Sequence, residues 1–558
     1  MKKFIRTLST SLAILTGLST CVLSVNAAKD PFNLNCGTGY IKDTDTPVSD
    51  TNSNISSSPY LLPKAVDISE SDSFPSVRSQ GPYGSCASWA TTYYQFGYEV
   101  AAMNGWNAKN DPTKQFSPKW TYNIINGGID DGSNFALNYS LLSTQGAVRY
   151  SEFTPNTNID PKDKTKSEYT EWYLDKNGMK NALQYRVSEY KHFYFANQHT
   201  ANTPIISPDS SCLTVVKSLL NSGKVLTFST DIRDWDYENL KNQYNSTLNG
   251  QYVCIKSYNI DGKESGHAMA IVGYDDNITY DLNGDGIIQK YEKGAFKIVN
   301  SYGEEYGNNG YMWVMYDALN KISNAENQNV ENRKPVIEEY GYYFINVEKY
   351  SLDLIAEITL SQTTRNNVLV KIGQSVPSAI TANDWNFTLL RYNGGEYNFT
   401  GLGKSSTTAT FVFDYSHLYK EDLSRQNFYL TITDSNYHNT SSAPTNNSTY
   451  IKNIKLIEKS GKTVVDDNIY KTIDNENAFF KYHLGKVGDI NNDNVIDTRD
   501  ITDLQNYLSG AENLTDNDIL VADVNGDGSI TINDVLALQY YVAGINDTFA
   551  NGKFVKLN

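Results

Sequence analysis

The apolar and polar positions of the chain divide it into five segments. The first contains an apolar run from Leu12 to Val25, which follows three basic residues and ends at the small residues Val25-Asn26-Ala27. This pattern is typical of a secretory signal peptide, so we predict that residues 1–27 are a signal peptide and that the protein is secreted. No later stretch reaches the roughly 18 apolar residues that a transmembrane helix needs.

Residues 28–61 are polar and rich in turn-forming residues, which predicts a pro-segment or tether without a core of its own. Residues 62–320 mix helical and strand periodicities and predict one α+β domain. Helices are expected from Cys86 towards Met103 and around Asn134 to Ser143. Strands are expected at 224–231, 267–274, 295–300 and 310–316. The polar run LNKISNAENQNVENRKP is a linker candidate.

Between residues 338 and 482, apolar and polar residues alternate in runs such as YYFINVEKY, DLIAEITL, TATFVFDY and FYLTITD. Alternating runs separated by turn residues predict an all-β sandwich. Residues 486–550 contain two acidic loops, each running into an apolar helical pattern, and predict a small all-α unit. We therefore expect a multidomain chain with an α+β domain, an all-β sandwich and a small all-α unit, in this order.

Composition narrows the class of protein. The 558 residues are too many for one core. The net charge of −16 becomes more negative when the basic signal is removed, so nucleic acid is not expected as a partner. Cys21 lies in the signal, and Cys36, Cys86, Cys212 and Cys254 are too few for a disulfide scaffold. Cys212 and Cys254 either pair or remain free thiols.

Cys86 stands where the glycine-bearing run SQGPYGSC passes into a predicted helix. A thiol at a helix N-terminus loses its proton more readily, because the helix dipole and any nearby imidazolium favour the thiolate. The unpaired N–H groups at the helix start can stabilise an oxyanion, and Gln80 can add a side-chain amide beside them. Taken alone, a cysteine such as Cys86 is more often a buried structural thiol.

Three motifs together resemble a papain-like cysteine protease. Gln80-Gly81-x-x-Gly84-Ser85-Cys86 is similar to the segment with the nucleophile, GHAMAIVGY to the strand with the histidine, and FKIVNSYG to the segment with the asparagine. The resemblance implies that Cys86 is the nucleophile, His267 the general base and Asn300 the residue that orients the imidazole. It also implies an oxyanion hole formed by Gln80 and the Cys86 N–H, and a substrate-cleft position at Gly132.

The chain departs from the family pattern at three positions. Ala87 stands where the family usually has Trp, Tyr83 replaces a half-cystine, and Tyr302 replaces the Trp that shields the Asn–His hydrogen bond. An aromatic ring still covers that hydrogen bond, so the pocket is altered while the catalytic set is intact. Residues 28–61 are too few for a long helical inhibitory prodomain.

The segment DLNGDGIIQKYE lies between the histidine and asparagine strands and fits the pattern of a calcium-binding EF-hand loop. Short oxygen-bearing side chains on alternate residues wrap the ion, and Gly286 permits the sharp turn. The alternative is an acidic hairpin loop that binds no ion. The predicted ligands are Asp281, Asn283, Asp285, Ile287 through its carbonyl, and Glu292, with Gln289 acting through water.

Two similar loops recur with an offset of 34 residues, at 489–500 and 523–534. The repeat resembles a cellulosomal dockerin, which implies two calcium ions and a cohesin module as partner. The implied first-loop ligands are Asp489, Asn491, Asp493, Val495, Asp497 and Asp500. The implied second-loop ligands are Asp523, Asn525, Asp527, Ser529 and Asp534, with Thr531 acting through water. The implied cohesin-binding residues are Thr498, Arg499, Ile532 and Asn533. The alternative is a pair of purely structural calcium loops.

The position of the sandwich directly after the protease resembles that of the lectin-like domain in papain-like proteases of clostridial surfaces. Asp384, Trp385, Tyr392 and Tyr397 are candidates for a sugar platform, although aromatic residues in a sandwich more often pack the core. No organic cofactor is expected.

Two functions remain open from the sequence. One is a secreted, extracellular, cellulosome-associated cysteine endopeptidase that acts on protein or peptide substrates. The other is a catalytically inactive protease-like module for glycan or protein adhesion.

Overall fold

The computed structural model describes residues 37–41, 62–160, 162, 165–193, 201–259, 266–337, 341–375, 382, 384–392, 394–416, 418, 426–435 and 448–557. The predicted signal peptide, Cys36 and most of residues 28–61 lie outside the described residues. None of the described helices combines the length and apolar character needed to cross a membrane.

The first unit contains the predicted helix at Cys86, in which wider turns over Trp89–Phe96 join two α-helical parts. Local sequence explains several helix starts. Ser117 and Asn134 each accept a backbone hydrogen bond from the first turn of the helix that follows. The helices of this unit are α1 (Cys86–Ser88), α2 (Gly97–Asn104), α3 (Pro118–Ile125), α4 (Phe135–Gln145), α5 (Lys166–Thr170), α6 (Lys176–Ala182) and α7 (Ser211–Asn221).

In the described part of the chain, ten strands form one sheet with the order β2-β10-β3-β6-β7-β8-β5-β4, while β1 joins β6 and β9 joins β5. The strands are β1 (Ala65–Asp67), β2 (Tyr185–Phe193), β3 (Leu226–Asp231), β4 (Trp235–Asn239), β5 (Tyr252–Tyr258), β6 (Gly266–Thr279), β7 (Lys293–Val299), β8 (Tyr311–Met315), β9 (Arg333–Lys334) and β10 (Tyr342–Lys349).

β6 lies near the centre of this sheet. Its sequence GHAMAIVGY is apolar at successive positions, which is typical of a strand buried on both faces. β6 pairs antiparallel with β3 on one side and with β7 on the other. The segments predicted to carry the catalytic histidine and asparagine therefore lie side by side.

The structure moves the boundary that we predicted between the first two units. YYFINVEKY was expected to open the sandwich, but β10 pairs with β2 and β3 in the first sheet, so this unit extends beyond residue 320 to Lys349. The expected linker at 319–335 is also packed, since Leu319, Ala325 and Arg333 are buried. Its polar side chains bond to backbone groups, as when Arg333 donates to the carbonyl of Gln328.

The second unit is the expected all-β sandwich, shifted along the chain. One sheet has the order β14-β11-β16-β17 and the other β13-β12-β15-β18-β19. The strands are β11 (Leu354–Gln362), β12 (Val368–Ser375), β13 (Asp384–Phe387), β14 (Thr407–Asp414), β15 (Asn427–Asp434), β16 (Thr449–Glu458), β17 (Thr463–Ile473), β18 (Asn477–Lys486) and β19 (Phe554–Lys556).

The last unit contains α8 (Thr498–Ser509), α9 (Asp516–Ala522) and α10 (Ile532–Val542) around a small apolar core. The chain then returns to the sandwich, where β19 pairs antiparallel with β18. The buried Glu458 accepts hydrogen bonds from the backbone N–H groups of Lys553 and Phe554 at 2.7 and 3.1 Å. The C-terminal strand therefore fastens the helical unit to the sandwich.

The first unit and the sandwich share one continuous apolar core, which runs from residues such as Phe135 to residues such as Phe411. A buried ion pair crosses this interface, with Arg186 Nη2 of β2 at 2.7 Å from Asp414 Oδ2 of β14 and neither side chain exposed. The Arg186 guanidinium also lies over the ring of Tyr350. These contacts fix the two units against each other.

We expect Asp414→Ala to lower the free energy of unfolding by about 3–5 kcal/mol, because it leaves the Arg186 guanidinium buried without its carboxylate. Glu476→Ala removes a half-exposed ion pair with Lys471 and should cost less than about 1 kcal/mol. Urea unfolding followed by tryptophan fluorescence measures both. Equal effects of the two substitutions would contradict a buried pair at the interface.

Candidate active site and calcium loops

The helix that begins at Cys86 places its thiol in the interior, where Cys86 is fully buried. α1 packs against β6, and the backbone of Ala268, the residue after His267, lies within hydrogen-bonding reach of the Cys86 sulfur. A thiol, a helix start and the histidine strand are thus brought together. In the described residues, no hydrogen bond joins Cys86 Sγ directly to the His267 ring.

The antiparallel register of β6 and β7, in which Ala270 faces Val299, brings His267 to Asn300. His267 Nε2 lies 2.7 Å from Asn300 Oδ1, and both side chains are fully buried. Because an amide oxygen only accepts, Nε2 carries the hydrogen and Nδ1 is left as the acceptor. Nδ1 is buried and has no hydrogen-bond partner among the described residues. The Tyr302 ring lies 4.6 Å from the imidazole and covers the pair.

Both the oxygen and the nitrogen of the Gln80 side-chain amide form hydrogen bonds. Its Oε1 accepts from Ser301 Oγ at 2.6 Å, which turns Nε2 towards two carbonyl oxygens. Nε2 donates to the carbonyls of Gly37 and Tyr83, each at 2.7 Å. Ser301 follows Asn300 directly, so the same segment orients the imidazole and the predicted oxyanion donor. The role of Ser301 was not predicted, because its partner lies 221 residues away in the chain.

Residues 37–41 cover this site. Ser133 N donates to the Gly39 carbonyl at 2.8 Å, Ile41 N donates to the Ser133 carbonyl at 3.0 Å, and Tyr40 N donates to the Gly266 carbonyl at 3.0 Å. The segment therefore runs as an added strand between the loop that contains Gly132 and the start of β6. The sequence suggested only a pro-segment or tether here, because GTGYI is too short to show a periodicity.

Gly132 touches this covering segment directly. Its φ of +108° suits glycine, and a Cβ added there would lie 2.0 Å from the Gly39 carbonyl oxygen. Only a glycine allows an extended chain to approach so closely. Residue 132 thus lines the groove that holds residues 37–41, as expected for a position in a peptide-binding cleft.

Burial shifts both titrating groups of the site away from an ion pair. Desolvation raises the pKa of the Cys86 thiol to about 11. Desolvation also lowers the pKa of His267 to about 4, although the hydrogen bond to Asn300 opposes this shift. With residues 37–41 in place, the thiol and the imidazole are therefore both neutral at physiological pH.

The loop at 281–292 has the same pattern of internal hydrogen bonds as the two C-terminal loops at 489–500 and 523–534. In each loop the carboxylate at position 12 accepts from a backbone N–H near the loop start, and the position-1 carboxylate accepts from position 6. The position-12 pairs are Leu282 N to Glu292, Ile490 N to Asp500 and Asn525 N to Asp534. The position-1 pairs are Gly286 N to Asp281, Asn494 N to Asp489 and Gly528 N to Asp523.

The structure places each predicted calcium ligand in one of these three loops. Within the described ranges, no group of three or more His, Cys, Asp or Glu side chains is arranged to hold a metal, so the ligand assignments stay predictions. Asp523 Oδ1 is a buried carboxylate oxygen with no hydrogen-bond partner in the described residues, which fits a cation. In the first C-terminal loop, Arg499 contacts Asp493 and lies 2.7 Å from Asp497.

The predicted cohesin-binding residues lie at the exposed starts of α8 and α10. Thr498 and Arg499 begin α8, and the side chain of Arg499 is engaged with loop carboxylates. Ile532 and Asn533 begin α10, where Ile532 is 68% exposed. The exposed Leu536 and Tyr540 continue an apolar stripe along α10. The two copies thus present different surfaces.

The structure does not bring the candidate sugar-platform residues together on one surface. Tyr392 donates to Ser140 Oγ of α4 at 2.8 Å, and Tyr397 lies beside Gly128, so both belong to the interface with the first unit. Trp385 remains on the sandwich surface, while the side chain of Asp384 lies outside the described residues. Cys212 and Cys254 are both free thiols.

Comparisons with known proteins agree with parts of this picture. The family model described as dockerin type I domain matches residues 487–543, which confirms the predicted C-terminal module. A comparison with curated proteins gave no match.

Solved structures of cysteine proteases match parts of this chain. Xylellain from Xylella fastidiosa is 20% identical, with 58% of this chain and 99% of that chain covered and a TM-score of 0.36. Procathepsin B S9 from Trypanosoma congolense is 13% identical, with 56% and 87% covered and a TM-score of 0.35. Bromelain from Ananas comosus, in complex with the inhibitor E64, is 16% identical, with 51% and 100% covered and a TM-score of 0.30.

Proposed function

We propose that the protein is a secreted cysteine endopeptidase, with the Cys-His-Asn thiolate mechanism, that attaches to a scaffold protein through dockerin–cohesin binding. The observation that carries the peptidase proposal is the buried hydrogen bond from His267 Nε2 to Asn300 Oδ1, formed beside the helix that begins at Cys86. This bond leaves His267 Nδ1 as the free acceptor that a thiol proton needs.

In the proposed reaction, His267 Nδ1 takes the proton from Cys86 Sγ, and the sulfur attacks the scissile carbonyl carbon. The imidazolium then gives this proton to the leaving amine, which produces a thioester and the first product. Water, deprotonated by His267, hydrolyses the thioester and restores the thiol. Asn300 keeps the imidazole in the required tautomer throughout.

Gln80 supports the assignment of an oxyanion hole. Its Nε2 already donates to a peptide carbonyl, that of Gly37, at 2.7 Å. A substrate carbonyl in the same place would accept from Gln80 Nε2 and from the Cys86 N–H as its oxygen becomes negative. Losing one such donor typically costs about 3–4 kcal/mol in the transition state.

Residues 37–41 act in this proposal as the pro-segment. They occupy the groove at Gly132, present a carbonyl to Gln80 and keep Cys86 and His267 buried and neutral. Displacing them returns water to the site and removes the desolvation that opposes an ion pair. The thiolate and the imidazolium then stabilise each other.

Calcium is assigned to the three loops at 281–292, 489–500 and 523–534, held by the ligands predicted above. Bound calcium supplies positive charge that neutralises the clustered carboxylates and stabilises the loop conformation. The first loop joins β6 to β7 and is braced by Gln328 Nε2, which donates to the Leu282 carbonyl at 2.7 Å. Calcium there supports the strand pair that holds His267 and Asn300.

The alternative function is a catalytically inactive adhesion module. The Asn300–His267 hydrogen bond favours the enzyme, because a protein that binds without reacting has no need to fix one imidazole tautomer. A covalent epoxide that traps active-site thiolates distinguishes the two.

We expect Cys86→Ala, in protein from which residues 37–41 have been cleaved, to lower kcat/KM for peptide hydrolysis by at least about 10⁴-fold, because the nucleophile is lost. Cys212→Ala is the matched control and should retain activity. The epoxide should label the wild type and the control at Cys86. Absence of labelling between about pH 5 and 8 would support the adhesion module instead.

We expect the covering segment to control the reactivity of Cys86 with iodoacetamide. In the intact chain, alkylation should become fast only as the pH approaches about 11, because burial holds the pKa there. Tyr40→Ala removes a side chain that packs 4.8 Å from the Phe135 ring and should allow alkylation near neutral pH. Mass spectrometry of the Cys86 peptide measures this, and identical pH profiles would contradict a covering role.

We expect wild-type protein to bind three calcium ions and the Glu292→Ala and Asp523→Ala variants two each, measured by calorimetry. Glu292→Ala should lower the thermal midpoint of the peptidase unit and leave cohesin binding intact. Asp523→Ala should have the opposite pattern, since it removes a dockerin ligand. A wild-type stoichiometry of two, unchanged in Glu292→Ala, would show that the 281–292 loop binds no ion.

A further inference from the structure

The outer face of the five-stranded sheet has a composition that neither the peptidase nor the dockerin role explains. Along β12, Val370 and Ile372 point into the core and are buried, so Lys371 between them points outward. Along β18, Ala478 and Tyr482 are buried while Phe479 and Lys481 are exposed. The strand register places Phe387, Lys371, Thr431 and Phe479 in one row across this face.

Aromatic rings dominate the exposed part of this face. Phe387 is 40% exposed and Phe479 is 53% exposed. The half-buried Trp385 ring lies 6.4 Å from the Phe479 ring, and both rings rest on the buried Tyr429. Exposing a contiguous aromatic patch is unfavourable in water, so such a patch usually marks a binding surface.

Three cationic side chains lie over these rings. Lys371 Nζ and the Arg391 guanidinium are 4.8 and 5.4 Å from the Phe387 ring centre, and Lys481 Nζ is 5.9 Å from that of Tyr429. Among the described residues, none of the three forms an ion pair with a carboxylate. In a chain with a net charge of −16, an aromatic surface with three unpaired cations calls for an anionic partner.

The first unit does not use this face. Its ion pairs with the sandwich go to the other sheet, where Lys176 contacts Glu357 of β11 and Arg186 contacts Asp414 of β14. β19 and the helical unit join the edge strand β18 near Leu484–Lys486, away from Phe479. Among the described residues, the rings and lysines of this surface therefore lie outside both interfaces, while Arg391 lies at its border, 5.0 Å from the ring of Tyr392.

We propose that this face binds an anionic polysaccharide, a glycan chain that contains uronic acid residues. The apolar C–H faces of sugar rings pack on Trp385, Phe479 and Phe387, as they do on other aromatic surfaces. The sugar carboxylates pair with Lys371, Lys481 and Arg391, and the Thr431 hydroxyl lies in the same row to bond to sugar hydroxyls. An uncharged apolar partner would bury these cations without compensation. This role goes beyond the proposed proteolysis and scaffold attachment.

The test is retention of the full-length protein on beads that carry polygalacturonate, with beads that carry neutral galactan in parallel. We expect retention on polygalacturonate alone, with salt elution, because the carboxylates supply part of the affinity. Trp385→Ala and Phe479→Ala should each weaken retention about tenfold, and Lys371→Gln with Lys481→Gln should reduce the salt dependence. Tyr470→Ala, an equally exposed aromatic on β17 of the other sheet, is the matched control and should change nothing.

Cohesin binding verifies that each variant is folded, and it does not depend on this face. Equal retention on neutral galactan would overturn the assignment of an anionic ligand. Retention that Trp385→Ala and Phe479→Ala leave unchanged, in variants that still bind cohesin, would place the ligand elsewhere. Lack of retention on either bead would overturn the proposal as a whole.

Discussion

The antiparallel pairing of β6 with β7 is the constraint on which the candidate active site depends. It brings two residues that are 33 positions apart into a 2.7 Å hydrogen bond and so decides which imidazole nitrogen is free. The residue after Asn300 then fixes Gln80 through Ser301 Oγ. The register of one strand pair thus positions His267, Asn300 and Gln80 together. The loop at 281–292 connects the same two strands at their other end. An ion bound in this loop would therefore stabilise the strand pair that holds His267 and Asn300.

The three units pack against one another and are not joined by linkers alone. A continuous apolar core and the buried Arg186–Asp414 pair join the protease-like unit to the sandwich, and β19 joins the dockerin to the sandwich edge. In consequence, the first unit and the helical unit are both anchored to the sandwich.

Much of the candidate site was predictable because each motif carries its own local signal. Cys86 follows a glycine-bearing turn at a helix start, His267 lies in a strand that is apolar at successive positions, and the calcium loops have fixed spacings. Pairing between distant segments was not predictable in the same way. The alternation in Tyr342–Lys349 predicts a strand correctly, but alternation does not say which sheet the strand joins. The three residues of β19 are too short for any pattern.

The aromatic residues of the sandwich illustrate the same limit. Trp385 and Tyr392 look alike in the sequence, yet one lies on the outer sheet face and the other bonds to Ser140 of the first unit. Orientation depends on the register of pairing, which only the structure gives. Likewise, the sequence of residues 37–41 carries no sign that they lie over Cys86, because the hydrogen bonds that seat Gly37, Tyr40 and Ile41 are made by backbone groups.

The central claim is that Cys86 and His267 form an ion pair once residues 37–41 have left. The thiolate absorbance of the cleaved protein in the ultraviolet, taken as the difference between wild type and Cys86→Ala over a pH titration, measures this directly. The account predicts that the thiolate is already present at about pH 7, as in other cysteines activated by a histidine and a helix N-terminus. A thiolate that appears only above about pH 8.5, the ordinary thiol range, would contradict it.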